Sequence, residues 1–309
     1  MTHVPVLLQE TIEVLAVKAG GTYVDGTLGR AGHAREILRR GAARVVGIDR
    51  DQTALDEVAA MDRDGAAEKF SGKLVLRKGC HGDLAEIVRE EGIGEVDGVL
   101  LDLGVSSPQL DDAGRGFSFR LDGPLDMRMD RSRRLTAAEI VNSRTVDDLA
   151  ALLRAYGEEP AARRIAQAIA RARATRRIET TCQLAELVAR TIGRSGAHHP
   201  ATRTFQALRM AVNDELGELK RALAGALEIL KVGGRLAVIT FESLSDRTVK
   251  RFIADHAGQM VSLQQGGARW EGMLPRVRRV TRRAVTASER EKALNMRSRS
   301  AKLRAAERM

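Results

Sequence analysis

The first 110 residues alternate between short apolar runs and stretches whose apolar residues recur every three or four positions. The apolar runs predict buried β-strands over 22–24, 44–48, 73–77 and 99–103. The stretches between them predict helices over 34–40, 52–61 and 84–90. Strands that alternate with helices are typical of a parallel, doubly wound sheet. The sequence therefore predicts a Rossmann-like α/β fold whose ligands bind at the carboxyl ends of the strands.

The strand pattern stops between residues 114 and 199. This segment begins with a stretch rich in glycine, proline and charge and then shows four short amphipathic patterns. These patterns predict helices over 137–141, 146–156, 160–173 and 181–192. We therefore expect a helical domain at 114–199, inserted into a discontinuous sheet domain formed by 1–113 and 200–309.

After the insertion, one long helix is expected. Apolar residues recur at spacings of three or four from Phe205 to Leu230, and Gly233 with Gly234 ends the pattern. The segment 235–241 then predicts a strand that returns to the sheet. The segments 260–263 and 277–285 are expected to complete it.

A glycine-rich turn, DGTLGRAGH at 25–33, joins the first predicted strand to the first predicted helix. Its three glycines permit sharp turns and a close approach of the backbone to a ligand, and the helix that follows offers free N–H groups. Asp49 ends the second strand, where a carboxylate can accept hydrogen bonds from ribose hydroxyls. This spacing indicates a nucleotide-like ligand, although such a turn can also serve packing alone.

The charges beside this turn narrow the choice of ligand. Asp25 and Asp49 favour a ligand that carries positive charge, such as S-adenosylmethionine with its sulfonium and ammonium groups. A dinucleotide pyrophosphate would be repelled by Asp25 unless another group screened it. His33, at the end of the turn, is either a ligand contact or a first-turn helix residue that touches only solvent.

The composition favours a globular protein of the cytoplasm. With 309 residues, 43% of them hydrophobic, the chain can bury a substantial core. Cys80 and Cys182 are too few for a disulfide framework and lack the spacing of a zinc site. The amino terminus does not read as a secretory signal, and no apolar stretch reaches transmembrane length.

The net charge of +10 is concentrated near the carboxyl terminus. Residues 269–309 contain 13 Lys or Arg and 4 Asp or Glu, a net charge of 13 − 4 = +9. A localised excess of this size indicates a polyanionic partner, and a solvated basic tail is the alternative. Because only 3% of the residues are aromatic, contact with phosphates should dominate over base stacking.

The motifs favour group transfer over hydrolysis. The sequence has no Ser/His/Asp order of a hydrolase, no His-Glu-x-x-His zinc helix and no Walker loop. Asp102, Ser106 and Ser107 follow the 99–103 strand, where they could grip the protons of an exocyclic amine and make its nitrogen a better nucleophile. The two serines could equally cap a turn before Pro108. We take these three residues as candidate catalytic residues.

Six long segments then carry a resemblance over nearly the whole chain. They are HVPVLLQE at 3–10, DGTLGRAGH at 25–33, LLDLGVSSPQLDDAGRGFSF at 100–119, DGPLDMRMD at 122–130, HPATRTFQALRMAVNDEL at 199–216 and NMRSRSAKLR at 295–304. Together they resemble the bacterial 16S ribosomal RNA cytosine-N4 methyltransferases, the RsmH or MraW family. Six motifs in order are far more specific than the glycine turn alone.

The resemblance implies a class I S-adenosylmethionine-dependent methyltransferase fold with an inserted all-helical domain that helps to hold substrate RNA. It implies N4-methylation of a cytidine, cytosine-1402, in the decoding region of 16S ribosomal RNA, a partner that belongs to the small ribosomal subunit. The cofactor-binding residues that match the family's motifs are Ala31, Gly32, His33, Asp49, His81, Asp102 and Gln109. No metal is needed for the transfer, and the oligomeric state, monomer or homodimer, is left open.

The sequence departs from the family pattern at four positions. Ala31 stands where the family has a glycine, and His81 stands where it usually has a phenylalanine that packs on adenine. Glu242 replaces a histidine and Ser245 a glutamate, so that roles attached to those two side chains are open here.

The expected reaction is in-line methyl transfer to the amine of a flipped-out cytidine, with phosphates bound by basic residues. Besides the basic tail, the arginines expected to bind them are Arg115, Arg120, Arg128, Arg131, Arg133 and Arg134. Three alternatives share part of the pattern: an NAD-dependent dehydrogenase, a methyltransferase for protein or small molecules, and an RNA-binding assembly factor without enzymatic activity.

Overall fold

We analysed a computed structural model of the protein, which describes residues 5–63, 72–193, 199–262, 267–271 and 274–309. The strands are β1 Thr22–Asp25, β2 Arg44–Asp49, β3 Leu74–Lys78, β4 Val96–Asp102, β5 Leu230–Thr240, β6 Gln259–Ser262, β7 Ala268–Glu271, β8 Val277–Arg279 and β9 Lys302–Arg308. The helices are α1 Leu8–Leu15, α2 Gly32–Arg39, α3 Gln52–Arg63, α4 Leu84–Glu90, α5 Ser107–Asp111, α6 Ala137–Ser143, α7 Val146–Gly157, α8 Ala162–Thr175, α9 Thr181–Ile192, α10 Thr202–Asn213, α11 Glu215–Ile229, α12 Ser243–His256 and α13 Glu289–Leu294.

Within the described ranges, seven strands form one sheet in the order β3-β2-β1-β4-β5-β9-β8. The strands from β3 to β5 are parallel, and β9 is antiparallel to both of its neighbours. Alternate residues of β1 face opposite sides of the sheet: Val24 packs with residues of α4, α11 and α12, whereas Tyr23 packs with residues of α1, α2 and α3. Helices therefore cover both faces, and the predicted doubly wound α/β fold is confirmed.

The chain divides into two compact units. Unit 1 comprises residues 1–104 and 217–309 and contains the sheet, and unit 2 comprises residues 105–216 and contains its own apolar core among α6 to α10. The expected boundary at 199/200 differs from the observed one at 216/217 because α10 packs against α7 inside unit 2. The expected boundary at 113/114 lies at 104/105 in the structure. Among the described residues there is no helix with the length and apolar character required to span a bilayer.

The prediction of one long helix from Phe205 to Leu230 is wrong. The segment forms two helices, α10 and α11, separated by Asp214 in the left-handed conformation with φ of 50°. Asn213, the last residue of α10, receives a hydrogen bond from Met129 N at 2.8 Å and donates one to Met127 O at 2.8 Å. Apolar spacing alone could not reveal the break, because the pattern continues through it.

The carboxyl-terminal part of the sheet also differs from the prediction. The strand β6, near the predicted strand 260–263, pairs with β7 in a separate two-stranded sheet. The predicted strand at 277–285 is confirmed over 277–279, where β8 joins the main sheet. Its neighbour there is β9, a strand that the basic composition of the tail concealed. Lys302 and Arg304 of β9 both bind the carboxylate of Asp246, at 3.2 Å and 2.6 Å, so that two cations of the basic tail stabilise the fold.

Candidate active site

The glycine turn lies at the carboxyl ends of β1 and β4, where its backbone approaches the strands closely. Gly26 donates its N–H to Leu100 O at 2.9 Å, and a Cβ at Gly26 would come within 2.7 Å of Leu101 Cδ2. Gly29 adopts a φ of 50° and donates its N–H to Asp49 Oδ2 at 2.8 Å. The turn thus requires glycine both for close packing and for a left-handed conformation.

Ala31 occupies a strained position immediately before α2. It is fully buried and has a φ of 59°, in the left-handed region that glycine adopts without a steric penalty. The family's glycine at this position therefore has a physical reason. The chain tolerates alanine here because its methyl group is buried with Ile37 and Leu38 in the same apolar cluster.

Asp49 holds the turn and the end of β2 together. Its Oδ2 accepts from Gly29 N, and its Oδ1 accepts the N–H of Asp51 at 2.9 Å. Burial raises the pKa of this carboxyl, and the two backbone hydrogen bonds oppose that rise. Each carboxylate oxygen retains further acceptor capacity, which is what a ribose hydroxyl requires.

Two further carboxyl groups, Asp25 and Asp102, lie at the ends of adjacent strands and are linked through Thr27. Thr27 donates its N–H to Asp25 Oδ1 at 3.2 Å, and its Oγ1 accepts the N–H of Asp102 at 2.6 Å. Burial raises the pKa of Asp25 to about 7, and the charge of Asp49 adds to the rise. Burial, with Asp25 close by, raises the pKa of Asp102 to about 8. These groups favour a cation in the site, because a nearby positive charge would restore their ionised forms.

His33 is oriented by a backbone carbonyl and faces Asp102. Its Nε2 lies 3.1 Å from Val6 O, which can only accept, so Nε2 carries the proton. In the neutral ring Nδ1 then presents a lone pair, 3.7 Å from Asp102 Oδ2. The alternative in which His33 touches only solvent is wrong, because the residue is 5% exposed.

His81 begins the short turn 81–83 that follows β3, and it is also buried. Its Nδ1 lies 3.4 Å from Nη2 of Arg50, the residue after β2. Burial lowers the pKa of His81 to about 3, and the positive charges of Arg50 and Arg221 contribute to the decrease. The ring is therefore neutral at physiological pH.

Three candidate residues, Ser106, Ser107 and Gln109, belong to unit 2, whereas Asp25, Asp49 and Asp102 belong to unit 1. Ser106 precedes α5 and donates its N–H to Gln109 Oε1 at 3.1 Å, so that this pair caps the helix. Gln109 is 6% exposed. The side chain of Ser107 lies outside the described part of the chain.

Glu242 is the amino-terminal cap of α12. Its carboxylate accepts the N–H of Leu244 at 2.7 Å and that of Ser245 at 3.0 Å. These bonds satisfy backbone donors that a helix leaves unpaired, so the residue has a structural reason to be acidic. Sequence reasoning missed this role because it predicted no helix over 243–256, although an acid directly before a helix is a common cap.

Two arginines expected to bind phosphates instead stabilise a loop of unit 2. Arg115 is buried and donates to Met129 O at 2.9 Å. Arg128 donates to both carboxylate oxygens of Asp126, at 2.7 Å and 2.8 Å. Their assignment to phosphate binding is therefore wrong, whereas the other four arginines of that set, Arg120, Arg131, Arg133 and Arg134, are exposed.

Sequence reasoning missed Thr27 and Arg50, which orient the acidic and histidine side chains of the site. It also missed the meeting of Cys80, Asp83 and Glu218, whose possible ligand atoms lie within 4.8 Å of one another among the described residues. Glu218 already binds Arg221 at 2.9 Å and the N–H of Gly82 at 3.2 Å. This group is therefore explained by the packing of α11 on the 81–83 turn.

Comparison with known proteins agrees with the resemblance given by the six motifs. The sequence model of the MraW methylase family matches residues 1–309. A ribosomal RNA small subunit methyltransferase H from Parvibaculum lavamentivorans is 49% identical over 308 residues, which cover 99% of this chain and 89% of that protein. The protein of the same name from Symbiobacterium thermophilum is 51% identical, with 98% and 95% covered. That from Deinococcus deserti is 49% identical, with 100% and 94% covered. Because both the family match and these relatives extend over essentially the whole sequence, the chain belongs to the MraW methylase family.

Proposed function

We propose that this protein transfers a methyl group from S-adenosylmethionine to the N4 amine of a cytidine in 16S ribosomal RNA. The family membership and the relatives named ribosomal RNA small subunit methyltransferase H support this proposal. The strongest structural support for this proposal is that three carboxyl groups, those of Asp25, Asp49 and Asp102, lie around one glycine turn. We further propose that the reaction takes place in the cytoplasm, on cytosine-1402 of the small ribosomal subunit.

The residues of unit 1 fit S-adenosylmethionine. At Gly29 the nearest heavy atom to an added Cβ would be Thr27 O at 3.9 Å, so the backbone there is open to a ligand, and Asp49 retains acceptors for ribose hydroxyls. Asp25 and Asp102 would attract the ammonium and sulfonium charges, which an uncharged or anionic nucleotide lacks. When bound, the cofactor supplies an electrophilic methyl group, and the protein's task is to align it with the amine.

Asp102 is proposed to receive the amine. A quarter of its side chain is exposed, whereas its Oδ1 atom is buried without a hydrogen-bond partner among the described residues. A carboxylate here can accept an N–H of the amine, which draws the nitrogen lone pair out of conjugation with the ring, and can then take the proton that the methylated nitrogen loses. His33 Nδ1, behind Asp102, can share that proton. Ser106 and Ser107, in the segment that follows Asp102, are also proposed as catalytic residues.

Unit 2 is proposed to bind the phosphates of the RNA. The segment 162–177, which contains α8, carries six arginines and no acidic residue. Arg164 and Arg171 are exposed and lie seven residues apart, on one face of α8, about 10 Å from each other along the helix axis. Arg177 follows the helix and is also exposed. Exposed cations on a segment that contains no acidic residue of its own suit an extended phosphate backbone.

The deciding experiment incubates the purified protein with S-adenosylmethionine and small ribosomal subunits that lack the modification. Mass spectrometry of the digested RNA should find N4-methylcytidine in a decoding-region fragment. The variant Asp102→Asn keeps the side-chain shape and should lose the activity nearly completely. Cofactor binding with methylation of another acceptor would refute the RNA substrate. Binding of NADH instead of S-adenosylmethionine would indicate a dehydrogenase, and RNA binding without binding of any cofactor would indicate an assembly factor.

The proposed RNA surface can be tested separately. The triple variant R164Q/R171Q/R177Q should weaken binding to small-subunit RNA and reduce the slope of log affinity against log salt by about 2 to 3, because about one counterion is released per phosphate contact. The matched control is R39Q/R89Q/R251Q, in which each exposed arginine lies beside an acid of unit 1. Equal losses in both variants would contradict a specific role for α8.

A further inference from the structure

The imidazole of His81 has a fixed tautomer. Arg50 Nη2 lies 3.4 Å from His81 Nδ1, and a guanidinium group can only donate hydrogen bonds. His81 Nδ1 must therefore accept, and it presents its lone pair to Arg50. Because burial and the two nearby arginines lower the pKa of His81 to about 3, the neutral ring carries its one proton on Nε2.

That Nε2–H group is a buried hydrogen-bond donor. It has no hydrogen-bond partner among the residues that the structure describes, although His81 is only 8% exposed. An unpaired buried donor is costly and calls for an explanation, and an acceptor that arrives with a ligand would provide one. The phenylalanine that the family has at this position would avoid this cost, because its side chain has no hydrogen-bond donor.

The location of the ring indicates what that ligand is. A Cβ at Gly26 would lie 3.3 Å from His81 Cβ, so the residue stands beside the glycine turn. Arg50 follows Asp49, the proposed ribose partner, directly in the sequence. The base that is attached to that ribose is therefore expected near His81. Adenine presents three ring nitrogens, N1, N3 and N7, and each of them accepts hydrogen bonds.

We infer that His81 Nε2–H donates a hydrogen bond to a ring nitrogen of the adenine of the bound cofactor, with Arg50 as the residue that fixes the tautomer. The inference rests on the proposed cofactor and adds to it. This chain would recognise the base by a directed polar contact at a position where the family pattern offers an apolar ring. Adenine in which carbon replaces the contacted nitrogen would leave the donor unpaired.

The test measures equilibrium binding by calorimetry, without RNA and without turnover. The ligands are S-adenosylhomocysteine and its 1-deaza, 3-deaza and 7-deaza analogues, each of which lacks one ring nitrogen of adenine. The wild-type protein should bind one analogue about tenfold more weakly than the parent compound. His81→Phe should bind that analogue and the parent with equal affinity. His256→Phe, which alters a histidine on α12, should discriminate as the wild type does.

Each outcome distinguishes the inference from the proposed function. If the parent compound binds and all three analogues bind equally to the wild type, the inference is wrong and the cofactor assignment stands. If His81→Phe still binds one analogue more weakly than the parent compound, the inference is likewise wrong and the cofactor assignment stands. If the parent compound does not bind to the wild type, the inference and the cofactor assignment are both wrong. Nitrogen-15 spectra of histidine in the wild-type protein provide a check that needs no variant. They should show a proton on Nε2 before the ligand is added and a shift of that N–H resonance afterwards.

Discussion

Leu303 provides a direct test of whether the basic carboxyl-terminal segment belongs to the core. It is fully buried in β9, opposite Ile239 of β5, and its N–H and C=O groups both bond to Val285 at 2.8 Å and 2.9 Å. Replacing a fully buried leucine with alanine removes about three methylene equivalents and leaves a cavity, which costs about 2 to 5 kcal/mol. Because domains are stable by only about 5 to 15 kcal/mol, Leu303→Ala should remove a large part of the stability.

The control lies in the same segment. Leu294 at the end of α13 is 81% exposed, so Leu294→Ala makes the same chemical change without loss of burial and should stay within about 0.5 kcal/mol of the wild type. Urea unfolding followed by far-ultraviolet circular dichroism should give a midpoint about 1 M lower for Leu303→Ala and unchanged for Leu294→Ala. Equal midpoints for the two variants would refute the placement of β9 inside the sheet. They would indicate that this segment is a solvated basic tail.

Three other predictions concern ionisation and capping. The raised pKa values of Asp25 and Asp102 mean that the folded protein binds protons more tightly than the unfolded chain, so its free energy of unfolding should fall as pH rises from about 4 to about 8. In urea titrations, the free energy of unfolding of Asp102→Asn should therefore increase relative to that of the wild type as pH rises over that range. A difference between the two proteins that is independent of pH would contradict the assignment. Affinity for S-adenosylmethionine, measured by calorimetry, should rise with pH between about 6 and about 8, because a cation prefers the ionised carboxylates; no pH dependence would count against their contact with the ligand. Glu242→Ala should cost about 1 kcal/mol through loss of the cap, whereas Glu242→Ser should retain both stability and methyl transfer; loss of transfer in a stable Glu242→Ser variant would assign this residue to catalysis.

The parallel part of the sheet could be predicted because its signals are local. Each strand from β1 to β4 contains an apolar run, and β1, β2 and β3 are each followed within a few residues by a turn and an amphipathic helix. The glycine turn and Asp49 likewise lie within one short unit of sequence. The local pattern also placed Asp102 at the end of a strand, whereas Gln109 came only from the resemblance.

The contacts that sequence reasoning missed join distant parts of the chain. Thr27 Oγ1 accepts from a residue 75 positions later, and the arginine of β9 that binds Asp246 lies 58 positions after it. In β9 the basic residues Lys302 and Arg304, on either side of the buried Leu303, hide the strand pattern, because their charges are paired with Asp246 only after folding. The break at Asp214 was missed for another reason, since a left-handed residue leaves no trace in apolar periodicity.

Because β9 lies between β5 and β8, β5 lacks one of its two neighbouring strands until β9 has joined the sheet. Until β9 pairs over 302–307, β5 is an edge strand with unpaired backbone groups along 235–240 and with the apolar side chains of Leu236, Val238 and Ile239. Such an edge is a template for pairing with a second chain. Because β5 and β9 are joined by a long intervening segment, that exposure lasts as long as the segment takes to close. Aggregation during refolding should therefore decrease when a peptide with the sequence of β9 is added in excess, since it would cover this edge in place of the chain's own strand.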